Sequence, residues 1–173
     1  MKFFFHLAFL VAAIVLTGCN KDQSATVLPA TADSEPTQAQ PKLRTMKIYL
    51  GPETLDAELA LTPREMQTGM MFRTNIQDSD SMLFVLPYPQ RASFWMKNCP
   101  ESISCAYINT DGFIEEVHHL EKNDTNAVLS AMDDIHFVLE TSDGWFTRHH
   151  IAVGTLIKTE KGSLAQTFLP GQP

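Results

Sequence analysis

Residues 93–100 read SFWMKNCP and combine apolar bulk with polar recognition groups more densely than any other stretch of the chain. In an extended chain successive side chains point to opposite faces, so Phe94 and Met96 would share one face. Trp95 and Lys97 would then share the other face, where a stacking ring and a cation can meet a ligand. The alternative is that Trp95 is one more core aromatic and Lys97 a solvated strand end.

Short segments with alternating apolar and polar residues lie on both sides of this stretch. Residues 46–50 and 55–61 alternate in this way around a Gly-Pro pair, which predicts a first hairpin. The Asp-Gly pair at residues 111–112 predicts a second hairpin, because glycine supplies the positive φ that a tight turn requires. About seven short strands with one or two short helices predict a β-rich α+β fold, a small single-domain barrel or sandwich.

Local signals also predict the helices and the domain boundaries. The sequence TPRE at residues 62–65 is a capping box with proline in the first helical position, so a short helix should begin there. A helical turn or two is predicted over residues 145–149. We expect the folded domain over residues 45–160 and a flexible tail over residues 161–173.

The first 18 residues predict a lipoprotein signal peptide. The apolar run over residues 3–15 follows a basic residue and is too short for an ordinary spanning helix. The sequence LTGC at residues 16–19 resembles a bacterial lipobox, in which Cys19 is acylated and becomes the mature N-terminus. Acyl chains would anchor the protein in the membrane. Asn20 favours, by resemblance to sorted lipoproteins, the outer membrane, with the protein facing the periplasm.

Composition and charge restrict the functions open to the chain beyond the anchor. Residues 19–44 contain the acylated cysteine and then mostly small and polar residues, which predicts a disordered tether. The formal net charge of −7 without a basic stripe argues against nucleic-acid binding. The sequence shows no nucleophile elbow, phosphate loop or dinucleotide fingerprint, so we assign no catalytic residue and no cofactor.

Cys99 and Cys105 are the two thiols that remain after Cys19. In an oxidising compartment such a pair invites a disulfide. A straight strand would hold their Cα atoms about 20 Å apart, whereas a disulfide needs roughly 4.4 to 6.8 Å. Either a tight turn through residues 100–102 closes the bridge, or the two cysteines are separate buried thiols.

Several motifs resemble, in order and separation, those of a small and widespread prokaryotic family, the domain of unknown function 192. They are GMMFR at 69–73, DSMLF at 80–84, FWMKN at 94–98, the Asp-Gly hairpin at 111–112 and VLE at 138–140. The resemblance covers residues 46–158 and implies a compact β-barrel-like α+β domain, often exported, without an established activity. The polar and aromatic positions that match the signature are Arg73, Trp95, Lys97, Asn98 and Glu140.

The chain departs from this family pattern at three positions. Ser104 stands where an aspartate often follows the Trp-Met-Lys-Asn run, and His150 stands where a glycine is usual. Thr155 replaces the aspartate of a Gly-Asp pair. The chain therefore lacks the carboxylates that the family pattern has at positions 104 and 155.

The signature residues predict either a binding pocket or a structural clip. In the pocket, Arg73 binds an anionic group through two hydrogen bonds and Lys97 adds positive charge. Asn98 orients the ligand, and Trp95 stacks on it. In the clip, Glu140 neutralises Arg73 and joins two strands. We expect the clip for that charged pair, because most ordered ion pairs are not sites.

Three functions remain open at this point. The favoured one is a non-enzymatic, lipid-anchored binding module whose partner is an envelope glycan or protein. The second is a small envelope hydrolase or transferase that uses Lys97, Asn98 and Cys99.

The third function is metal handling in the periplasm. It would use His118, His119 and His136, with Glu116 as a further ligand. Neighbouring residues on a strand point to opposite faces, and no local metal motif is present, so no metal ligand is assigned.

Overall fold

A mixed sheet forms the body of the protein in a computed structural model that describes residues 34–169 and 171. The predicted signal peptide and Cys19 lie outside the described residues. In chain order the elements are β1 (Thr45–Leu50), β2 (Glu53–Ala60), α1 (Pro63–Thr68), β3 (Ser81–Gln90), β4 (Ser93–Phe94), β5 (Ile103–Asn109), β6 (Ile114–Leu120), β7 (Val128–Leu129), β8 (Ile135–Ser142), α2 (Trp145–Arg148), β9 (Ile157–Thr159), β10 (Gly162–Ser163) and α3 (Leu164–Phe168). Within the described part of the chain, no helix is both long and apolar enough to cross a membrane.

The predicted β-rich α+β fold is confirmed. Eight strands form one sheet in the order β10-β9-β1-β2-β3-β8-β5-β6, and β4 pairs with β7 in a separate two-stranded sheet. The two ends of the large sheet also meet. The N–H of Ile157 donates to the carbonyl of Gly112 at 2.9 Å, and that of Ile114 donates to Thr155 at 3.0 Å. These bonds curl the sheet toward a barrel.

Helix α1 lies in the connection between β2 and β3, which are parallel neighbours in the sheet. Parallel strands require such a crossover. The predicted capping box is present, since the side chain of Thr62 accepts the N–H of Glu65 and the side chain of Glu65 accepts the N–H of Thr62. The helix ends at Gly69, whose φ of 46° lies in the region that favours glycine.

Side-chain alternation divides the core into two clusters. On β5, Ala106 belongs to one cluster, while Cys105 and Tyr107 belong to the other. The first cluster takes up Trp145 from α2, and the second takes up Met96 from the stretch at 93–100. Burying one large apolar side chain is worth roughly 1.5–3 kcal/mol, so both clusters hold the fold together. The second cluster carries the candidate site.

The structure shows ordered contacts on both sides of the predicted domain. The predicted tail is folded over residues 162–168, because Ser163 caps α3 and Leu164 is fully buried in the first cluster. The described part of the predicted tether also contacts the domain. The side-chain amide of Gln40 donates to the carbonyls of Glu65 and Gly69 at 3.2 and 2.9 Å. The carbonyl of Gly69 lies beyond the last turn of α1, where the helix supplies no donor, whereas the carbonyl of Glu65 also accepts the N–H of Gly69.

Candidate functional site

A cleft of about 390 Å³ opens between α1 and the loop after β4, and we call it the Trp95 cleft. The exposed Trp95 stands at its rim, and the buried Cys99 and Glu140 lie at its base. Phe84 and Phe94 form an aromatic wall, with their rings edge to face and their centroids 5.1 Å apart. The site therefore offers apolar surface with one carboxyl group at depth.

Trp95 is presented by a turn and not by a strand. β4 ends at Phe94, and the N–H of Cys99 then donates to the carbonyl of Met96 at 3.0 Å. Met96 is buried, whereas 47% of the surface of Trp95 is exposed. The predicted division of faces holds at these two residues although the chain is not extended. The ring of Trp95 is therefore accessible for stacking.

Lys97 and Asn98 support the rim but do not line the cleft. The Lys97 ammonium lies 5.5 Å from the centroid of the Trp95 ring and forms an ion pair with Glu35. Asn98 has a φ of 60°, a conformation that asparagine tolerates better than most residues. Its carbonyl accepts the N–H of Phe72 at 2.7 Å. Both residues thus fix the turn that carries Trp95.

Glu140 is the buried acid of the cleft. It belongs to β8, a strand whose residues are all buried, and only 4% of Glu140 is exposed. Its Oε2 has no hydrogen-bond partner among the described residues. Burial raises the pKa of Glu140 to about 8, against the opposing charge of Arg73. Near neutral pH the side chain is mostly protonated, so it can donate as well as accept a hydrogen bond.

Arg73 pairs with Glu58 and not with Glu140, so the predicted partner in the clip was wrong. Its Nη1 and Nη2 lie 2.6 and 2.9 Å from the two carboxylate oxygens of Glu58, a bidentate arrangement. Burial acts to raise the pKa of Glu58, but bonds from Arg73 and the backbone of Leu43 outweigh it and hold the pKa below its ordinary value. β3 lies between the strands of Glu58 and Glu140, and the charge of Arg73 still acts to lower the pKa of Glu140.

Cys99 and Cys105 are free and buried in the structure, so the bridge between them is absent. Cys99 lies in the turn and Cys105 lies within the extended strand β5, so the intervening chain does not close on itself. Burial and the charge of Glu140 raise the pKa of Cys99 to about 12, and burial raises that of Cys105 well above its ordinary value. Both thiols are therefore protonated near neutral pH and are poor nucleophiles.

The histidines of the metal hypothesis do not converge. His118 lies 2.8 Å from Glu116, and His119 lies 2.8 Å from Asp143. His136 is fully buried elsewhere on β8. Among the described residues, no group of three or more His, Cys, Asp or Glu side chains could hold a metal ion.

The family model for the domain of unknown function 192, described as an uncharacterised ACR, matches residues 46–159. The chain belongs to this family. The match covers most of the chain and agrees with the resemblance expected from the signature motifs. No curated protein matches the chain.

Solved structures show the same fold. A proposed transcription regulator from Sinorhizobium meliloti is 22% identical, with a TM-score of 0.65 over 70% of this chain and 98% of that one. A protein of unknown function from Novosphingobium aromaticivorans is 24% identical, with a TM-score of 0.64 over 76% of this chain and 98% of that one. At these identities the likeness concerns the fold alone.

Two departures from the family pattern have visible structural roles. The hydroxyl of Ser104 accepts the N–H of Gly144 at 2.9 Å. His150 has a φ of 56°, a left-handed conformation that favours glycine. This conformation explains why a glycine suits that position, and it marks His150 as locally strained.

Of the signature residues, the structure brings only Trp95 and Glu140 to the cleft. Arg73, Lys97 and Asn98 lie around it in supporting roles. The wall contributed by Met66 and other residues of α1 was not predicted, because the sequence places α1 next to β2 and not next to the loop after β4. For the base of the cleft, the sequence signals were Glu140 in the VLE motif and Cys99 after the Trp-Met-Lys-Asn run.

Proposed function

We propose that the protein is a non-enzymatic binding module, lipid-anchored in the bacterial outer membrane, whose Trp95 cleft receives part of an envelope molecule. The observation that carries the proposal is the solitary acid at the base of an aromatic-rimmed cleft. Ligand sites combine mostly apolar walls with a few polar groups that fix orientation. Trp95 and Glu140 supply these two elements here.

The unsatisfied oxygen of Glu140 supports a binding role. A buried polar atom without a hydrogen-bond partner costs about 1–3 kcal/mol. Buried polar groups are therefore nearly always paired, and each exception calls for an explanation. A ligand that bonds to Glu140 would remove this penalty in the complex and convert it into affinity.

The residues of the hydrolase hypothesis do not form a reactive group. The thiol of Cys99 contacts the backbone carbonyl of Lys97 at 3.7 Å. Its raised pKa is the opposite of what an activated nucleophile requires. The Lys97 ammonium is engaged by Glu35 and Trp95. These contacts favour binding over catalysis.

The proposed membrane anchor is supported by the sequence of residues 1–19. The proposed class of partner follows from the location that this anchor would give the protein. A mature protein that begins at an acylated Cys19 would carry its cleft close to the membrane surface, where envelope glycans and proteins are the available partners. Labelling of the expressed protein with a fatty acid tests the anchor. The wild type should incorporate the labelled fatty acid, and Cys19→Ala should not. Equal labelling of both chains would overturn the anchor.

Thermal unfolding of the full-length protein in a maltoside detergent tests the binding function. Cell-wall fragments, envelope glycans and small amines are added separately to the wild type, Trp95→Ala and Tyr88→Ala. At a hundredfold excess over the dissociation constant, a ligand should stabilise the wild type by about 2.7 kcal/mol.

Tyr88 is the matched control, because it is an exposed aromatic outside the cleft. We expect Trp95→Ala to remain folded and lose the response, while Tyr88→Ala retains it. A response that survives in Trp95→Ala would contradict the proposal.

A further inference from the structure

The Trp95 cleft is lined by one acidic side chain and by no basic one among the described residues. Glu140 is the one carboxyl group among its described lining residues, and no Lys, Arg or His side chain lines it. Apart from the thiol of Cys99, the remaining lining side chains are apolar or uncharged. Such a lining has no group with which to neutralise an anion, and it has one group with which to neutralise a cation.

The carboxyl group at the base of the cleft has one oxygen that is not hydrogen-bonded to any described residue. Oε2 of Glu140 is buried without a partner in the described part of the protein. Gly69, at the end of α1, approaches it so closely that a Cβ there would lie 3.8 Å from this oxygen. A side chain longer than that of glycine would crowd the carboxyl group here, and an opposite charge from outside is what this carboxyl group lacks beside it.

The walls also suit a cation. Phe84, Phe94 and Trp95 all line the cleft, and the faces of aromatic rings attract ammonium groups within about 6 Å of their centroids. Trp95 already holds one such group, since the Lys97 ammonium lies 5.5 Å from its centroid. Met66 and Met70 add polarizable thioether surface against which an apolar body can pack.

We propose that the part of the ligand that enters the Trp95 cleft is an organic cation, an ammonium group that meets the carboxyl group of Glu140 while its apolar body lies against the aromatic wall. This inference rests on the proposed binding function and names the chemical class that the cleft selects. The source of the ammonium group, a glycan, a peptide or a free amine, does not alter the chemistry of recognition.

Binding of a cation would be coupled to loss of a proton. The empty cleft holds Glu140 largely as the neutral acid, whereas an ammonium group favours the carboxylate. The O–H bond of the acid breaks, its electron pair stays on the carboxylate, and the proton passes to solvent. Up to one proton is therefore released for each cation bound, at pH values that lie below the pKa of about 8 in the empty cleft and above the lower pKa in the complex.

The groups that surround Glu140 leave it as the titrating member of the site. Arg73 is neutralised by Glu58. Burial raises the pKa of Cys99, Cys105 and Tyr107, so these three remain neutral below pH 8. The affinity for a permanent cation should therefore rise roughly tenfold per pH unit as the pH approaches about 8 from below.

Isothermal titration calorimetry with choline and 3,3-dimethylbutan-1-ol tests this inference. The alcohol has the shape of choline with a neutral carbon in place of the ammonium nitrogen, so the pair isolates the charge. We use the full-length protein in a maltoside detergent at several pH values between about 6 and 8, a range below or at the pKa of Glu140. Choline should bind at least about tenfold more tightly than the alcohol, a difference typical of one charged contact.

Glu140→Gln keeps the shape of the side chain and removes its charge. This variant should lose the preference for choline and the pH dependence, and proton release measured in buffers of different ionisation enthalpy should vanish. Glu160→Gln is the matched control, because Glu160 is an exposed acid after β9 that does not line the cleft. It should bind choline within about twofold of the wild type, as expected for an exposed charge.

Equal affinity for the alcohol, or choline binding that is unchanged with pH in the wild type, would overturn the assignment of a cation even if Glu140→Gln failed to fold. If glycans or the alcohol bind in a Trp95-dependent manner while choline does not, the binding function stands and only the ligand class fails. If neither binds and Trp95→Ala changes no response, the binding function itself fails.

Discussion

Glu58 and Glu140 occupy one row across the sheet but have opposite environments. Glu58 on β2 pairs with Met82 on β3, which in turn pairs with Glu140 on β8. Each acid is only 4% exposed. Arg73 holds the pKa of Glu58 below its ordinary value, whereas burial without a close partner raises that of Glu140.

The difference separates a structural acid from a site acid. A buried acid that forms a bidentate bond to arginine has its bonding capacity filled by the protein. A buried acid with an unpartnered oxygen retains capacity for a ligand. The position of a single guanidinium group, and not residue type or burial, therefore decides which of the two acids belongs to the proposed binding site.

The largest expected effect comes from Arg73→Ala, which would make Glu58 resemble Glu140. Removing one partner leaves an uncompensated buried charge, so the free energy of unfolding should fall by about 3–5 kcal/mol. Chemical denaturation at neutral pH measures it. Arg44→Ala, at an exposed position just before β1, is the control and should change stability by no more than about 0.5 kcal/mol. Similar losses in both variants would contradict the contrast between the two acids.

The pH dependence of the free energy of unfolding tests the raised pKa of Glu140. The pKa of Glu140 is about 8 in the folded state, against an ordinary value of 4.5. The folded state thus binds more protons between these values, so the stabilisation from Glu140 is fully present below about pH 4.5 and is lost as the pH rises through about 8. The loss should be on the order of 2–4 kcal/mol.

Glu140→Gln should abolish most of this decline, because glutamine does not titrate. Denaturant midpoints of both proteins measured between about pH 5 and 8 show the difference. A decline of equal size in the variant would assign the titration to another group and remove the contrast with Glu58.

Gly69→Ala would fill the space beside Glu140. A Cβ at Gly69 would lie 3.2 Å from the ring of Phe84, and φ is 46°, so both contact and backbone oppose the change. We expect a loss of about 1–3 kcal/mol and weaker ligand binding. Gly154→Ala is the control, since it also has a positive φ but would meet nothing within 4 Å. Equal losses of stability in the two variants would show that the positive φ alone causes the effect, without the contact to Phe84.

The smallest expected effect on stability is that of Trp95→Ala. Trp95 is half exposed, so its removal should lower the free energy of unfolding by no more than about 1 kcal/mol. Trp145→Ala should lose about 3–5 kcal/mol, because Trp145 is buried in the first cluster. Thermal unfolding of both variants compares them. A large loss in Trp95→Ala would show that the rim is part of the core, and the cleft would then lack an aromatic recognition group.

Much of the fold arises from patterns that act over a few residues. Alternation gave the hairpin of β1 and β2, and the capping box at Thr62 placed the start of α1. The order of residues 162–168 depends on the burial of Leu164 against distant strands, which their short pattern does not encode. The contact of residues 34–44 with the domain likewise depends on a bond from Gln40 to α1, which is distant in sequence.

The sequence by itself determined the family, the β-rich fold, the start of α1 and the candidate residues Trp95 and Glu140, because these depend on local pattern and on motif. Only the tertiary structure decided that Arg73 pairs with Glu58, that Cys99 and Cys105 are unbridged, and that Trp95 and Glu140 share a cleft. The strand order sets these distances, and no local pattern encodes it. Burial then sets the protonation of Glu140, which is the property on which the proposed site depends.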